Sequence, residues 1–196
     1  MAKQERGQET KQRISQVALE LFKKKGFNKV TVDEIIQNAE SSKGAFYNHF
    51  TSKHDIFAEK FREIDYFYVE KLFPELESED DLETKLKSFL TMQMEYIEED
   101  LGWDVVRTIY EQELNTERES FFQNPERPLY HFLHKLFDEG RRQEIFREDL
   151  TTEQMVEVLI RAMRGILYDW AMRKGSYKLA VEQKPLFEVV IRGLRQ

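Results

Sequence analysis

The segment from Thr31 to Lys53 restricts the fold of this chain more than any other part of the sequence. Thr31 is a predicted helix N-cap, and Glu34 occupies the position that completes a capping box. The apolar residues that follow recur at helical spacing, at Val32, Ile35, Ile36 and Ala39. Because only Glu40 and Ser41 separate this helix from the next, the segment predicts two short helices joined by a tight turn.

The second of these helices is predicted to start after Ser42, which can cap it. Phe46 and Phe50 lie four residues apart and point to the interior. The outward face is then small, polar and partly basic, with Lys43, Gly44, Ala45, Tyr47, Asn48 and His49. Small residues permit a close approach, and the polar ones can bond phosphates or base edges. This pattern is typical of a helix-turn-helix, whose second helix enters the major groove of DNA.

A third helix is predicted to begin at Ser52, with Asp55 at its N3 position. Lys53 then falls in the first turn, where free backbone N–H groups also favour an anion, so we expect Lys53 to contact a phosphate. In this interpretation three residues reach base edges: Lys43, Ala45 and Asn48. Five contact the DNA backbone: Thr31, Ser42, Tyr47, His49 and Lys53.

A dense pattern of residues extends from Thr10 to about Phe57. Its members are Ile14, Ala18, Phe22, Gly26, Thr31, Ile35, Ala39, Ser42, Lys43, Gly44, Phe46, Tyr47, His49, Phe50, Ser52 and Lys53. This pattern resembles the N-terminal signature of TetR-type transcriptional regulators. The resemblance implies a homodimer that binds double-stranded DNA at a palindromic operator, with repression as the usual mode. It also implies an unknown small-molecule effector that binds the C-terminal region and releases the operator.

The sequence departs from the family pattern in two places. Glu40 and Ser41 stand in the turn where the family often has Gly and Val. Ala45 and Asn48 stand in the reading helix where it often has Thr and Tyr. The operator sequence therefore does not follow from the resemblance.

The net charge of −7 at first argues against a nucleic-acid partner. The charge is unevenly distributed, however, because residues 1–53 carry a net +4 and residues 54–196 a net −11. A basic head on an acidic body keeps the attraction to phosphate local. The chain has no cysteine, which excludes a disulfide framework and fits a reducing cytoplasm. It also has no apolar run of roughly 18 residues, so we expect no membrane partner.

Glycine and proline are sparse, and the sequence predicts an all-α fold. We expect a helix-turn-helix domain over residues 1–53 and a larger ligand-binding and dimerisation domain over residues 54–196. A long helix of about residues 53–72 joins them and ends before Pro74. Residues 75–81 and 115–128 are interpreted as loops. The other predicted helices span about Thr10–Lys25, Leu82–Glu98, Leu101–Leu114, Pro128–Gly140, Thr152–Arg173 and Pro185 to the end.

Gln93 falls on the apolar stripe of its predicted helix, and a buried amide must find partners. It either bonds a backbone group or faces a ligand cavity. A small-molecule site is expected to be an apolar cavity with a few polar groups. We place it among the predicted helices from that of about residues 53–72 to that of Thr152–Arg173, with candidates Phe89, Gln93, Trp103, Tyr110 and His134.

The last two predicted helices are apolar over a wide arc, so both sides need to be covered. Two such helices meeting their symmetry mates would form a four-helix interface, as the resemblance also implies. The predicted dimer contacts are Leu159, Ala162, Met163, Ile166, Phe187, Val190 and Ile191.

Two other classes of protein compete with this interpretation. A carboxylate-bridged di-metal enzyme needs Glu-x-x-His pairs on facing helices, and no His in this chain has Glu three residues before it. His131 and His134 are three residues apart, but no acidic or thiol partner at ligand spacing is evident. We therefore expect no enzyme activity, no cofactor and no metal. A helical adaptor or ligand-binding protein without DNA-binding activity stays open as the alternative.

Overall fold

The computed structural model describes residues 2–114 and 120–196, apart from the side chains of residues 2–5, 58 and 61. The predicted all-α class is confirmed. In the described ranges the helices are α1 Ala2–Lys25, α2 Val32–Asn38, α3 Lys43–His49, α4 Lys53–Phe67, α5 Phe73–Leu76, α6 Leu82–Tyr96, α7 Trp103–Glu113, α8 Pro128–Arg142, α9 Thr152–Met172 and α10 Leu179–Leu194. Of the loop predicted over 115–128, residues 115–119 lie outside this description.

The chain divides into two compact units, Met1–Glu63 and Ile64–Gln196. The division falls inside α4, ten residues after the boundary that we predict from the sequence. Each unit has its own apolar core. In the described part of the chain, no helix is both long and apolar enough to cross a membrane.

Three aromatic rings form the centre of the first unit. The ring of Phe57 on α4 lies 4.7 Å from that of Phe22 on α1 and 4.9 Å from that of Phe27. Ile35 of α2 and Phe46 of α3 are fully buried in the same unit. Burial of such side chains is the main stabilising contribution to a small helical unit, and here it joins all four helices.

Helix α1 is longer than the predicted Thr10–Lys25. It begins at Ala2, and the Thr10 hydroxyl donates to the Arg6 carbonyl oxygen at 2.8 Å, as a threonine inside a helix does. The predicted end is confirmed, since Gly26 follows α1 with φ 85°. Glycine adopts this left-handed conformation without the steric cost that a side chain would add.

The helix that begins at Lys53 does not end before Pro74, which corrects the prediction. A π turn over Tyr68–Leu72 follows α4 directly, and α5 continues through Pro74. The Phe73 N–H bonds the Tyr68 carbonyl oxygen five residues back. Pro74 then stands in the first turn of α5, where a missing N–H costs little.

Helix α9 lies at the centre of the second unit and packs against α7, α8 and α10. A capping box formed by Thr151 and Gln154 begins it. Helix α10 begins at Leu179, six residues before the predicted start, and Pro185 lies inside it. Leu179 and Gln183 are buried, so packing holds the first turns of α10 despite the proline.

The segment 120–127 is held by side chains from three helices. The Glu113 carboxylate of α7 accepts the N–H groups of Phe121 and Phe122 at 3.1 and 2.9 Å. The Phe122 carbonyl oxygen accepts from the Arg164 guanidinium of α9 and the Tyr130 hydroxyl of α8, each at 2.5 Å. These bonds give the turn before α8 a defined position without a helix of its own.

Candidate nucleic-acid interface and ligand-binding region

The cap of α2 forms as predicted in one half only. The Thr31 hydroxyl oxygen accepts from the Glu34 N–H at 3.2 Å. The Glu34 carboxylate pairs with the Lys25 ammonium at the end of α1. Glu34 therefore ties α2 to α1 instead of completing the capping box.

The turn between α2 and α3 is tight. Glu40 adopts φ 46°, in the left-handed region, and the Ser41 N–H bonds the Ile36 carbonyl oxygen at 3.0 Å. The Ser42 hydroxyl then accepts from the Ala45 N–H at 3.1 Å, which confirms Ser42 as the N-cap of α3. A residue other than glycine is unusual in the left-handed region, and this conformation of Glu40 sets the direction of the turn.

Helix α3 has one buried and one exposed face. Phe46 is fully buried, and Phe50 just after the helix is 2% exposed. Of the predicted DNA contacts, Thr31, Ser42, Lys43, Tyr47 and Asn48 are exposed, whereas Ala45, His49 and Lys53 are half-buried. The exposed fraction of Tyr47, a large aromatic residue, is 56%. The helix therefore offers a small polar face that a partner can reach.

Lys43 makes a contact that the sequence analysis missed. Its ammonium lies 2.8 Å from Oδ1 of Asp33 on α2, and both side chains are well exposed. The hydrogen bond and charge of Asp33 raise the pKa of Lys43 above its ordinary value, so Lys43 stays protonated. The sequence indicates this ion pair only through an acidic residue in the first turn of α2, and it does not show which lysine pairs with that residue.

Lys53 lies in the first turn of α4, as predicted, and its ammonium makes contacts that the sequence does not predict. Its Nζ donates to the carbonyl oxygens of Phe27 and Val30 at 2.9 and 2.7 Å, and lies 4.4 Å from the centre of the Phe27 ring. Desolvation by burial lowers the pKa of Lys53 below its ordinary value. Two of its three donors are thus engaged inside the unit, and the phosphate contact stays a prediction.

The start of α4 is held by Asp55. Its carboxylate accepts the N–H groups of Thr51 and Ser52 at 2.7 and 3.2 Å, and also both hydroxyls. Burial raises the pKa of Asp55, but these hydrogen bonds outweigh burial and hold the pKa below its ordinary value. The acid at N3 therefore does more capping here than the predicted cap, Ser52.

The five candidate ligand residues do not lie at one place. Phe89 and Gln93 are buried on α6, and Gln93 Oε1 has no hydrogen-bond partner among the described residues. The Tyr110 hydroxyl donates to the Arg164 carbonyl oxygen at 2.7 Å. Trp103 on α7 packs closely against Gly175, where an added Cβ would lie 2.8 Å from the indole ring. His134 is half-buried on α8.

A cleft of about 520 Å³ opens between α5, α6 and α8. Its floor is apolar, with Phe73, Leu76, Leu82, Phe132 and Leu136, and its rim is charged, with Glu77, Lys85, His131, Lys135 and Glu139. Phe132 stacks on Phe73 at 4.5 Å and lies 5.0 Å from Phe89, so one of the five candidates lies directly behind the cleft. This volume and lining are those of a small-molecule site.

Four of the seven predicted dimer contacts are buried inside the chain. Leu159, Met163, Phe187 and Ile191 are at most 3% exposed, so they pack in the chain's own core and leave little surface for a second chain. The residues on α9 are covered because α7, α8 and α10 pack around it, and those on α10 are covered because α10 packs against α6 and α9. The other three are half-exposed, namely Ala162, Ile166 and Val190.

His131 lies 3.9 Å from Glu126 and makes a weak ion pair when protonated. Across residues 2–114 and 120–196, no group of three or more His, Asp or Glu is placed to hold a metal ion.

Curated proteins match about a quarter of this chain. The HTH-type transcriptional regulator QacR of Staphylococcus aureus is 49% identical over 49 residues, which are 25% of this chain and 26% of QacR. The HTH-type transcriptional regulator AcrR of Shigella flexneri is 44% identical over 52 residues, which are 26% of this chain and 24% of AcrR. The chain thus spans about a quarter of the length of these relatives.

Solved structures match the whole fold at low sequence identity. A TetR-family transcriptional regulator from Pectobacterium atrosepticum has a TM-score of 0.75 at 18% identity, over 97% of this chain and 96% of that one. FadR of Thermus thermophilus in complex with lauroyl-CoA has a TM-score of 0.70 at 21% identity, over 95% and 96%. FadR of Bacillus subtilis in complex with stearoyl-CoA has a TM-score of 0.71 at 16% identity, over 94% and 99%.

Two family models cover most of the chain. The model of bacterial regulatory proteins of the tetR family matches residues 14–59, and the model of the C-terminal region of YsiA-like proteins matches residues 57–193. The first match contains the helix-turn-helix, and the second contains the cleft and the last two helices. The chain therefore belongs to the TetR family of bacterial regulatory proteins.

Proposed function

We propose that this protein is a DNA-binding transcriptional repressor that a small-molecule effector releases from a two-fold symmetric operator. The observation that carries the proposal is the exposed polar face of α3, capped by Ser42 and presented by a tight turn. A helix with this face fits the major groove, and Lys43, Tyr47 and Asn48 are free of the apolar core.

Selection of DNA sequences by the purified protein tests this function. We expect a two-fold symmetric site, and a gel shift with the DNA upstream of the protein's own gene. Asn48→Asp adds a negative charge to the exposed face of α3 and is expected to abolish binding. Asn28→Asp makes the same chemical change outside α3 and is expected to retain most of it. A protein that enriches no sequence would instead be the helical adaptor of the alternative interpretation.

The proposed operator requires two copies of the helix-turn-helix, and an apolar stripe supports a dimer. Val158 on α9 is exposed, as are Leu186 and Val189 on α10. A Cβ on Gly165 or Gly193 would meet no atom within 4 Å, so both backbones are open to close approach. The proposed interface therefore uses the exposed faces of α9 and α10, next to the faces that bury Leu159 and Phe187.

Light scattering tests this interface. Val189→Glu places a charge on a side chain that is 69% exposed and is expected to yield a monomer. Val69→Glu makes the same change at a side chain that is 47% exposed outside the stripe, and is expected to leave the dimer intact. A dimer that survives Val189→Glu places the interface elsewhere.

For the effector, we propose an acyl-CoA that binds in the cleft between α5, α6 and α8. Two FadR structures of the same fold contain lauroyl-CoA and stearoyl-CoA. The apolar floor suits an acyl chain, and Lys85, His131 and Lys135 on the rim suit phosphate groups. A ligand that favours the form with low DNA affinity would release the operator.

Thermal unfolding and gel shifts with lauroyl-CoA test the effector. We expect lauroyl-CoA to raise the Tm and to release DNA. Lys135→Glu reverses a charge on the rim and is expected to weaken the binding of lauroyl-CoA. Lys184→Glu on α10 makes the same change outside this cleft and is expected to leave binding unchanged. A rise in Tm with unchanged DNA affinity would refute the coupling, and no rise would refute this class of ligand.

A further inference from the structure

We propose that Asp33 determines specificity for DNA by holding Lys43 in an ion pair that directs it to base edges and away from phosphates. The inference rests on the proposed DNA-binding function and deepens it. It concerns a residue that we did not predict as a DNA contact and that belongs to the supporting helix, not to the reading helix.

The two side chains connect the two helices of the motif. Asp33 is the second residue of α2, and Lys43 is the first residue of α3. Oδ1 and Nζ are 2.8 Å apart, while the side chains are 70% and 68% exposed. The pair therefore stands on the surface, where DNA can reach it, and orients a lysine that would otherwise sample many rotamers.

An ammonium has three N–H donors, and Asp33 occupies one of them. The other two can bond the acceptors that a guanine presents in the major groove, O6 and N7, without breaking the pair. A phosphate contact is different, because a free lysine swings to the nearest phosphate on any sequence. Held by Asp33, Lys43 forms that contact only if it leaves the carboxylate unpaired beside the DNA backbone.

Asp33→Asn tests the proposal against Glu40→Gln, which removes the same charge from the turn of the same motif. Affinities are measured for a random duplex and for the site that the wild-type protein selects, each over a range of salt. Asp33→Asn is expected to raise affinity for the random duplex about two- to fivefold and to steepen its salt dependence by about one ion. Affinity for the selected site is expected to stay equal or fall.

Asp33→Asn in a Lys43→Met background provides the second arm. Without the lysine, the change in salt dependence is expected to vanish. The proposal is overturned if Asp33→Asn raises both affinities by the same factor as Glu40→Gln, or if its effect persists in the Lys43→Met background. Thermal unfolding of each variant excludes a folding defect. Failure of the wild-type protein to select a site would refute the proposed function instead, and the salt dependence on random duplex would still decide the role of Asp33.

Discussion

The guanidinium of Arg127 forms a two-pronged ion pair with Asp65, across 62 residues of sequence. Nη2 lies 2.9 Å from Oδ1, and Nε lies 3.2 Å from both carboxylate oxygens. The side chains are only 5% and 19% exposed, and the guanidinium stacks 3.9 Å from the centre of the Phe121 ring. The pair fixes the turn before α8 to the last residues of α4.

Arg127→Met is therefore expected to lower the free energy of unfolding by about 3–5 kcal/mol, because it leaves the Asp65 carboxylate, which is only 19% exposed, without this partner. Unfolding in urea, followed by the fluorescence of Trp103 and Trp170, measures the change in the second unit.

Two controls accompany Arg127→Met. Arg161→Met breaks the ion pair with Glu157, whose partners are 72% and 59% exposed, and is expected to cost at most about 0.5 kcal/mol. Arg127→Met combined with Asp65→Leu removes both charges and is expected to recover much of the loss. If the double variant is as unstable as the single one, packing and not the unpaired charge is the cause.

Lys53→Met is expected to destabilise the first unit by about 1–3 kcal/mol, because the carbonyl oxygens of Phe27 and Val30 lose their donor. Calorimetry measures this loss. Lys29→Met removes the same charge from an exposed position between Phe27 and Val30 and is expected to have little effect. If Lys53 also contacts a phosphate, its loss weakens binding to every sequence and flattens the salt dependence by about one ion. If Lys53→Met has normal stability but binds DNA weakly, Lys53 contacts a phosphate and does not stabilise the first unit.

Asp55 is expected to make the first unit sensitive to acid. Its pKa is lower in the folded protein than the ordinary value of 3.8, so the unfolded chain takes up the proton first as the pH falls. The stability that Asp55 contributes is present above pH 3.8 and is lost as the pH drops through the folded pKa. Asp55→Asn is expected to cost about 1 kcal/mol near neutral pH and nothing once the wild-type carboxyl is protonated. Urea unfolding of both proteins checks the difference, at pH values from about 2.5, where an ordinary Asp carboxyl is almost fully protonated, to about 7, where it is ionised. A difference that does not change with pH contradicts this account.

Local signals in the sequence predict the helix-turn-helix well. Thr31 and Ser42 cap the helices that they precede, and Gly26 ends α1. Each of these depends on residues within four positions along the chain, and such contacts form wherever the chain turns into a helix. The exposed face of α3 follows from the same spacing.

Long-range packing explains what the sequence does not predict. Lys53 bonds carbonyls 23 and 26 residues away, and Arg127 meets Asp65 62 residues away. A helical pattern identifies an apolar face but not which neighbour covers it, so Leu159 and Ile191 belong to the chain's own core. Pro185 lies inside α10 because tertiary packing overrides a local preference.

The stability of Gln93 variants distinguishes a structural role for this amide from a role in ligand binding. It is 3% exposed, and its Oε1 has no hydrogen-bond partner in the described part of the chain. A buried acceptor without a partner costs about 1–3 kcal/mol. Gln93→Met keeps the shape and removes the oxygen, so it is expected to raise the free energy of unfolding by about 1 kcal/mol.

Gln183 is the matched control for Gln93. It is 2% exposed, but its Nε2 donates to the Ala180 carbonyl oxygen at 3.1 Å. Gln183→Met is therefore expected to destabilise the protein, in contrast to Gln93→Met. If Gln93 Oε1 serves the effector, Gln93→Met also weakens the binding of lauroyl-CoA while it stabilises the free protein, as a strained ligand site does. If both variants lose stability to the same extent, Gln93 has a structural partner and no place in the effector site.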